Sequence, residues 1–436
     1  MRETLPKGHK KLLNAWAFYD WANSVYSLTI VSAVFPIFYG ALFEKGEMVE
    51  VFGFNIRSVP LITIATAIGF SFVAVTSPVL SGIADYIGNK KVFMKFFNYI
   101  GALSCVGLFW FNKEAIYYSL FCYVTALVGF WGSIVFYNSY LPDIAFPEQH
   151  DKVSAKGYSL GYIGSVILLL LNLGMVMFPN VFGFGDGGTG SLTGMRYSFI
   201  LVGVWWIGFS QYSYYYLPKG YSSGHKVTKD VFFKGFRELK SVWKSMSQTV
   251  HLKRYLIAFF VYSMAVQTVM LIATYFGEKE INWGGDDNKT IGLILSILII
   301  QIVAVGGAII TSRCSNKYGN IHTLIVLNII WVLICIYAFF MTDPIHFYLA
   351  AGVVGLVMGG IQALSRSTYS KFLPKTEDTT SFFSFYDVAE KVGIVIGMGV
   401  YAIVDLYTGS MRSATLFLVV FFALGIFLLF RVPRNQ

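Results

Sequence analysis

Gly82-Ile83-Ala84-Asp85-Tyr86-Ile87-Gly88-Asn89-Lys90-Lys91 closes the second of about twelve apolar runs. A fainter copy, Arg313-Cys314-Ser315-Asn316-Lys317-Tyr318-Gly319-Asn320, closes the eighth. Another pair repeats at the same offset: Tyr140-Leu141-Pro142 ends the fourth run and Phe372-Leu373-Pro374 ends the tenth. Matching features at matching runs predict a parallel six-plus-six repeat, the layout of membrane bundles that rock against one another. Within the motif, Gly82 permits close helix packing. Asp85, at the end of its helix, can pair with basic residues or with the N-terminus of another helix.

Each run is long enough to cross a bilayer as a helix. Six extend from Leu12–Phe43 to Arg196–Leu217, and six from Tyr255–Phe276 to Met411–Phe430. The chain is 56% hydrophobic and 13% charged, with a mean hydropathy of +0.62. Soluble domains carry about 25% charged residues. The expected fold is therefore all-α and integral to the membrane, with twelve transmembrane helices in two six-helix bundles. Residues 1–217 form the first bundle, 255–436 the second, and 218–254 the connection. The net charge of +10 does not call for nucleic acid, because most Lys and Arg fall on the side that holds both termini. That bias places the termini in the cytosol and makes the lipid bilayer the partner. The polar N-terminus runs into a long helix without a small-residue cleavage site, so no cleavable signal peptide is expected.

The connection holds an apolar stripe, Phe232, Phe236, Leu239, Trp243, Met246 and Val250, at alternating spacings of four and three. Lys229, Lys234, Arg237, Lys240 and Lys244 take other faces. This pattern predicts an amphipathic helix on the inner leaflet.

Charged residues inside the runs are costly and mark function or pairing. Gly359-Gly360-Ile361-Gln362-Ala363-Leu364-Ser365-Arg366 lies in the tenth run. Its glycines let a neighbouring backbone approach, and Gln362 and Arg366 share one face. Arg366 either snorkels to the headgroups or faces a wet cavity. Gln362, one turn deeper, favours the cavity. Asp20 lies in the first run, and Asp387, Glu390 and Lys391 in the eleventh. With Arg366 they form a layer about 10–15 Å from the inner surface. Asp387 and Lys391 are an i,i+4 pair, whereas Asp387 and Glu390 are like charges at i,i+3. Unless Lys391 or Arg366 compensates, one of these acids binds a proton more readily than a free carboxylate. The layer is either a static ion-pair network holding the tenth and eleventh helices together or one whose pairing changes during a working cycle.

Other signals carry no chemistry. The glycine-rich stretch 183–190 has no preceding strand and no Gly-Lys-Ser/Thr, so it is no phosphate cradle. The six histidines sit in loops or at run ends and do not cluster, which argues against a metal site. Cys105, Cys122, Cys314 and Cys335 have no CxxC spacing and read as small core residues. The pair Asp286-Asp287 falls short of a calcium site. No cofactor is expected. A polytopic membrane enzyme acting on lipid-linked substrates would need a nucleophile–base pair or a metal cluster.

The Gly82–Lys91 loop resembles the Gly-x-x-x-Asp-x-x-Gly-x-Lys/Arg pattern of the major facilitator superfamily. Trp16-Ala17-Phe18-Tyr19-Asp20-Trp21-Ala22-Asn23-Ser24-Val25-Tyr26, the 359–367 stretch and Phe382-Phe383-Ser384-Phe385-Tyr386-Asp387-Val388 are narrower. They resemble the "unknown major facilitator" branch, which includes the fungal vacuolar amino-acid effluxers. That resemblance covers essentially the whole chain. It implies a monomeric secondary transporter, not an enzyme, in a bacterial inner membrane. It also implies a cavity lined by helices 1, 4, 7 and 10. On those helices lie Asn23, Tyr26, Asn138, Tyr137, Tyr262, Gln267, Gln362 and Tyr369. The chain departs from the branch at Tyr262-Ser263-Met264, where relatives carry an acid after Tyr-Asn.

The resulting expectation is proton-coupled, alternating-access transport of a small zwitterionic or anionic solute, an amino acid or short peptide. Muropeptides, sugars or drugs are the alternative solutes. Asp20 is the expected coupling acid, because burial penalises its charged form. Arg366 is the expected anchor for a solute carboxylate, because its planar fork matches that group. Gln362, Asn23, Tyr26, Asn138, Tyr262 and Gln267 are expected around the solute. Asp85 is expected in a cytosolic latch, and Asp387, Glu390 and Lys391 in a gate or ion-pair network.

Overall fold

Apolar runs of this length hide their backbone polar groups from lipid by closing every hydrogen bond within a helix. The computed structural model describes residues 5–44, 47–219 and 231–433. It shows all twelve runs as helices. Spans 1 to 6 are Lys10–Leu42, Ser58–Ile87, Lys90–Trp110, Ile116–Asn138, Pro147–Met177 and Gly187–Tyr216. Spans 7 to 12 are Val250–Glu280, Asp286–Tyr318, Asn320–Phe340, Pro344–Phe372, Thr379–Thr408 and Met411–Phe430. Eleven of them are long and apolar enough to cross a membrane by length and composition. Span 11, with Asp387, Glu390, Lys391 and Asp405, completes the array. The spans form two six-helix bundles, each with its own apolar core, and Tyr162 of span 5 packs into that of the second.

The two related motifs both end their helices on a glycine of positive φ. Gly88 caps span 2 at φ 69°, and Gly319 joins spans 8 and 9 at φ 84°. Gly88 takes the left-handed helical conformation and Gly319 an extended one at ψ 154°, and a side chain is strained at positive φ, so both turns call for glycine. Spans 8 and 10 press together where the sequence has small residues. A Cβ on Gly355 would meet the Ile300 carbonyl oxygen at 2.5 Å, and Cβ atoms on Gly359 and Gly360 would collide with Ala304 and Thr311. This contact fixes the helix that carries Arg366.

Span 1 is not one uniform helix. Residues Tyr26–Ala33 form a π-helical stretch, in which the Val34 N–H reaches back five residues to the Thr29 carbonyl. Pro36 follows and donates no backbone hydrogen bond. The hydroxyls of Ser27 and Ser32 bond to the Ser24 and Ser27 carbonyls at 3.0 and 3.1 Å, satisfying acceptors along the widened turn. A β-hairpin not anticipated from the sequence, Met48–Val51 paired antiparallel with Phe54–Arg57, joins spans 1 and 2. The Lys113 ammonium holds it through Glu47 at 2.6 Å, and the Tyr117 hydroxyl accepts from the Phe52 N–H at 3.0 Å.

The linker helix is Val231–Gln248. The Phe232, Phe236 and Lys234 side chains and Lys229 lie outside the described residues, as do the side chains of Asp286 and Asp287. Two positions of the expected stripe differ from the reading above. Val242 and Met246 are the buried residues, while Trp243 is 57% exposed and lies tilted against Phe385 at 5.3 Å. Val250 is exposed and belongs to span 7, which starts there rather than at Tyr255. Thr249, extended at ψ 96°, is a one-residue break between the two helices.

Candidate functional site

The Arg366 side chain leaves span 10 and crosses into the first bundle, where it is 2% exposed. Its Nη2 lies 3.1 Å from Asp20 Oδ2 on span 1 and donates to the Ser154 carbonyl on span 5 at 3.0 Å. Nε donates to Ser154 Oγ at 2.9 Å, and Nη1 donates to Asn138 Oδ1 on span 4 at 3.2 Å. Three rings enclose the guanidinium: Tyr158 at 4.2 Å, Trp16 at 4.7 Å and Tyr137 at 5.5 Å. Arg366 is therefore no snorkelling residue. Nor is it bound to Asp387 or Glu390, so the static network between spans 10 and 11 is not what the structure contains. The arginine's partners lie across the bundle boundary because its face of span 10 points there.

Asp20 takes both of its contacts on one oxygen. Oδ2 accepts from the Tyr137 hydroxyl at 2.7 Å as well as from Arg366. A one-oxygen pair lacks the two parallel bonds of a fork-to-fork carboxylate–arginine contact. Span 5 has no side chain at the point of closest approach. A Cβ on Gly157 would strike Asp20 Oδ2, and would lie 3.1 Å from Arg366 Nη2 and 3.2 Å from the Tyr137 hydroxyl. Gly161 makes the same allowance for Ser24. This Gly157–Gly161 spacing was a readable small-residue signal that the motif reading passed over. Ser154, Tyr158 and Trp16 also went unrecognised as partners of Arg366.

The remaining candidates separate into neighbourhoods. Gln362 accepts from the Tyr162 hydroxyl of span 5 at 2.6 Å and approaches Met270 Sδ at 3.6 Å. Tyr262 pairs with Ser365 Oγ at 2.7 Å and with Tyr255 at 3.2 Å. Tyr369 donates to the Phe382 carbonyl at 2.5 Å. Asn23 is buried, accepts from Ser24 at 3.3 Å, and its Nδ2 has no partner among the described residues. Tyr26 points elsewhere. Six residues beyond Asp20, about 120° round the helix, it stacks on Phe130 at 4.7 Å inside the first bundle.

A second charged cluster lies on span 11. Lys391 pairs with Asp387 and sits 3.2 Å from Glu390 Oε2. Glu390 Oε1 accepts from Gln267 of span 7 at 2.7 Å. The Lys391 ammonium also lies 3.8 Å from the Trp131 ring centre on span 4, which places the cluster at the bundle boundary.

Towards the ends that carry the termini, two clasps join the bundles. Asp85 accepts from the Thr380 and Ser381 N–H groups at 3.3 and 2.6 Å, at the start of span 11. A carboxylate there meets unpaired N–H groups and the positive end of the helix dipole. Beside it Lys90 pairs with Asp143 and donates to Thr379 Oγ1 at 2.9 Å. The second clasp was not anticipated. Asp151 on span 5 accepts from Lys371 at 2.7 Å, from Ser315 Oγ at 2.8 Å and from Asn320 Nδ2 at 2.9 Å. The 313–320 loop lacks the acid of its counterpart. The carboxylate comes from the opposite bundle instead.

Two six-helix bundles that meet around a buried ion pair and are clasped at one end define a membrane transporter of the major facilitator type. Within that class the chain belongs to the family described as "Vacuole effluxer Atg22 like", which it matches over residues 8–436. It is 30% identical over 430 residues to the MFS-type transporter YxiO of Bacillus subtilis strain 168, covering 98% of this chain and 96% of that one. Autophagy-related protein 22-1 of Penicillium rubens is 27% identical over 314 residues, which is 65% of this chain and 50% of the fungal protein. Among solved structures, FucP in its outward conformation superposes with a TM-score of 0.68 at 13% identity, over 98% of this chain and 99% of FucP. The proton:xylose symporter XylE gives 0.68 at 10% identity, over 97% and 94%. Those two likenesses establish the fold alone.

Proposed function

We propose that the protein is a proton-coupled secondary transporter of a small zwitterionic or anionic solute, an amino acid or short peptide. Asp20 is its proton site and Arg366 its carboxylate anchor. The observation that carries this reading is the buried Asp20–Arg366 pair, which joins spans 1 and 10 across the bundle boundary. The ends that carry the termini, the more basic ones, face the cytosol of a bacterial cell. In that orientation the clasps hold the cytosolic side shut.

One ion pair then serves both binding and gating. A proton on Asp20 removes the negative charge that holds Arg366 and leaves the guanidinium to a solute carboxylate. Proton and solute bind with positive coupling, typically worth about 1–3 kcal/mol. The same event weakens a bond between the bundles, so occupancy and rocking are linked. Met264 brings no charge to span 7, which leaves Asp20 as the acid in contact with Arg366. Membership of an effluxer-like family supports the amino-acid reading and a transporter rather than an enzyme.

The test is transport into proteoliposomes against pH for wild type, Asp20→Asn and Arg366→Lys. Uptake by wild type rises as pH falls through the Asp20 titration. Asp20→Asn flattens that dependence, and Arg366→Lys loses transport at least tenfold because lysine cannot replace the fork. A pH dependence that survives in Asp20→Asn, or full transport by Arg366→Lys, overturns the reading.

A further inference from the structure

The span 11 cluster holds two carboxylates and one ammonium, so it is one positive charge short. Both Glu390 oxygens already accept, from Gln267 at 2.7 Å and from Lys391 at 3.2 Å. Asp387 Oδ1 is taken by Lys391, yet Oδ2 is buried without a partner among the described residues. The Asp387 side chain is 4% exposed and that of Glu390 is 17% exposed, so Glu390 is the accessible end and Asp387 Oδ2 the closed one. An orphaned carboxylate oxygen inside a protein costs free energy until a donor or a cation reaches it.

The surroundings suit a cation. From the neighbouring spans the cluster is faced by Gln267 on span 7 and by Trp131 on span 4, whose ring already carries Lys391. Aromatic faces attract ammonium groups.

We propose that Glu390 and Asp387 receive the primary ammonium group of the solute whose carboxylate Arg366 holds. This rests on the reading of Arg366 as the carboxylate anchor. The solute's N–H donors meet the free acceptor positions of Glu390 at the accessible end and reach Asp387 Oδ2 once the bundles part, and Lys391 stays on the face of Trp131. The site therefore selects zwitterions with a free amine over carboxylates that lack one.

Glycine and its two halves, methylammonium and acetate, separate the two ends. Thermal unfolding of the purified protein is followed against each, with sodium chloride at matched ionic strength, for wild type, Glu390→Gln and Arg366→Lys. Methylammonium raises the wild-type midpoint above the sodium chloride control. Glu390→Gln needs at least tenfold more methylammonium for the same rise but keeps its acetate response, which also shows that it is folded. Equal methylammonium responses in wild type and Glu390→Gln, or none in either, overturn the proposal. So does a sodium response equal to that of methylammonium, or stabilisation by acid alone that disappears in Glu390→Gln. An absent acetate effect with the methylammonium effect intact fails the Arg366 reading and leaves this one standing.

Discussion

Gly157 shows how little room the ion pair has. A methyl group there collides with a carboxylate oxygen that has no second position, because Tyr137 and Arg366 hold it from the other side. Gly157→Ala is expected to reduce transport at least tenfold while the protein still folds and inserts. Gly174 on the same helix is the control, since the nearest atoms to a Cβ there lie 3.9 Å away. Alanine at Gly174 leaves transport unchanged and is neutral or stabilising by up to about 1 kcal/mol, the usual helix preference over glycine. Transport rates and thermal midpoints of the two variants decide this. If Gly157→Ala transports like wild type, the ion pair is not the close-fitting element described.

At the scale of elements the two clasps are equivalent in place and different in construction. The span 2–3 loop supplies Asp85 to the start of span 11. The span 8–9 loop supplies Ser315 and Asn320 to an acid at the start of span 5. Asp85→Asn is expected to shift the balance of conformations without changing solute affinity in the competent state. Asp151→Asn is expected to act in the same direction, and more strongly. Removing it leaves Lys371 without its carboxylate, and breaking a buried pair costs roughly 3 kcal/mol or more. Labelling of a single cysteine in the cavity, from either side of the membrane, reads both shifts. Unchanged labelling in both variants refutes the clasp assignment. The hairpin makes a separate prediction. The Lys113 ammonium holds the Glu47 carboxyl below its usual range. A carboxyl held low in the folded state stabilises above its unfolded titration range and loses that contribution as pH falls through the folded one. Amide exchange at Phe52 is therefore expected to quicken only at acid pH, and Glu47→Gln to remove the transition.

For the whole molecule, alternating access requires that the contacts closing one end be replaceable. The clasps, Arg366–Asp20 and Ser154–Ala363 gather towards the ends that carry the termini. An Asp85→Asn, Asp151→Asn double variant is expected to open that end further than either single change. Its effect falls short of or exceeds additivity only if the clasps open as one unit. Distances between spin labels on the two bundles measure this. Cysteine at position 240 of the linker helix is expected to label from the cytosolic side, and labelling only from outside would invert the orientation.

Helix positions, the two-bundle repeat and the identity of the charged residues were legible in the sequence. Length and apolarity dictate spanning helices, and the related loops at 82–91 and 313–320 expose the repeat. The buried polar layer was legible as a composition, because charges inside apolar runs stand out. Its pairing was legible only within one helix, where Asp387 and Lys391 stand four apart. Asp20 and Arg366 are separated by most of the chain, and helical periodicity describes faces within one helix rather than which face meets which. Tertiary packing alone decided that Arg366 crosses to Asp20, and that Tyr26 turns into its own bundle. It also decided that the acid of the second clasp sits on span 5. These choices follow from bundle contact, where a glycine such as Gly157 admits one partner and a side chain would have excluded it.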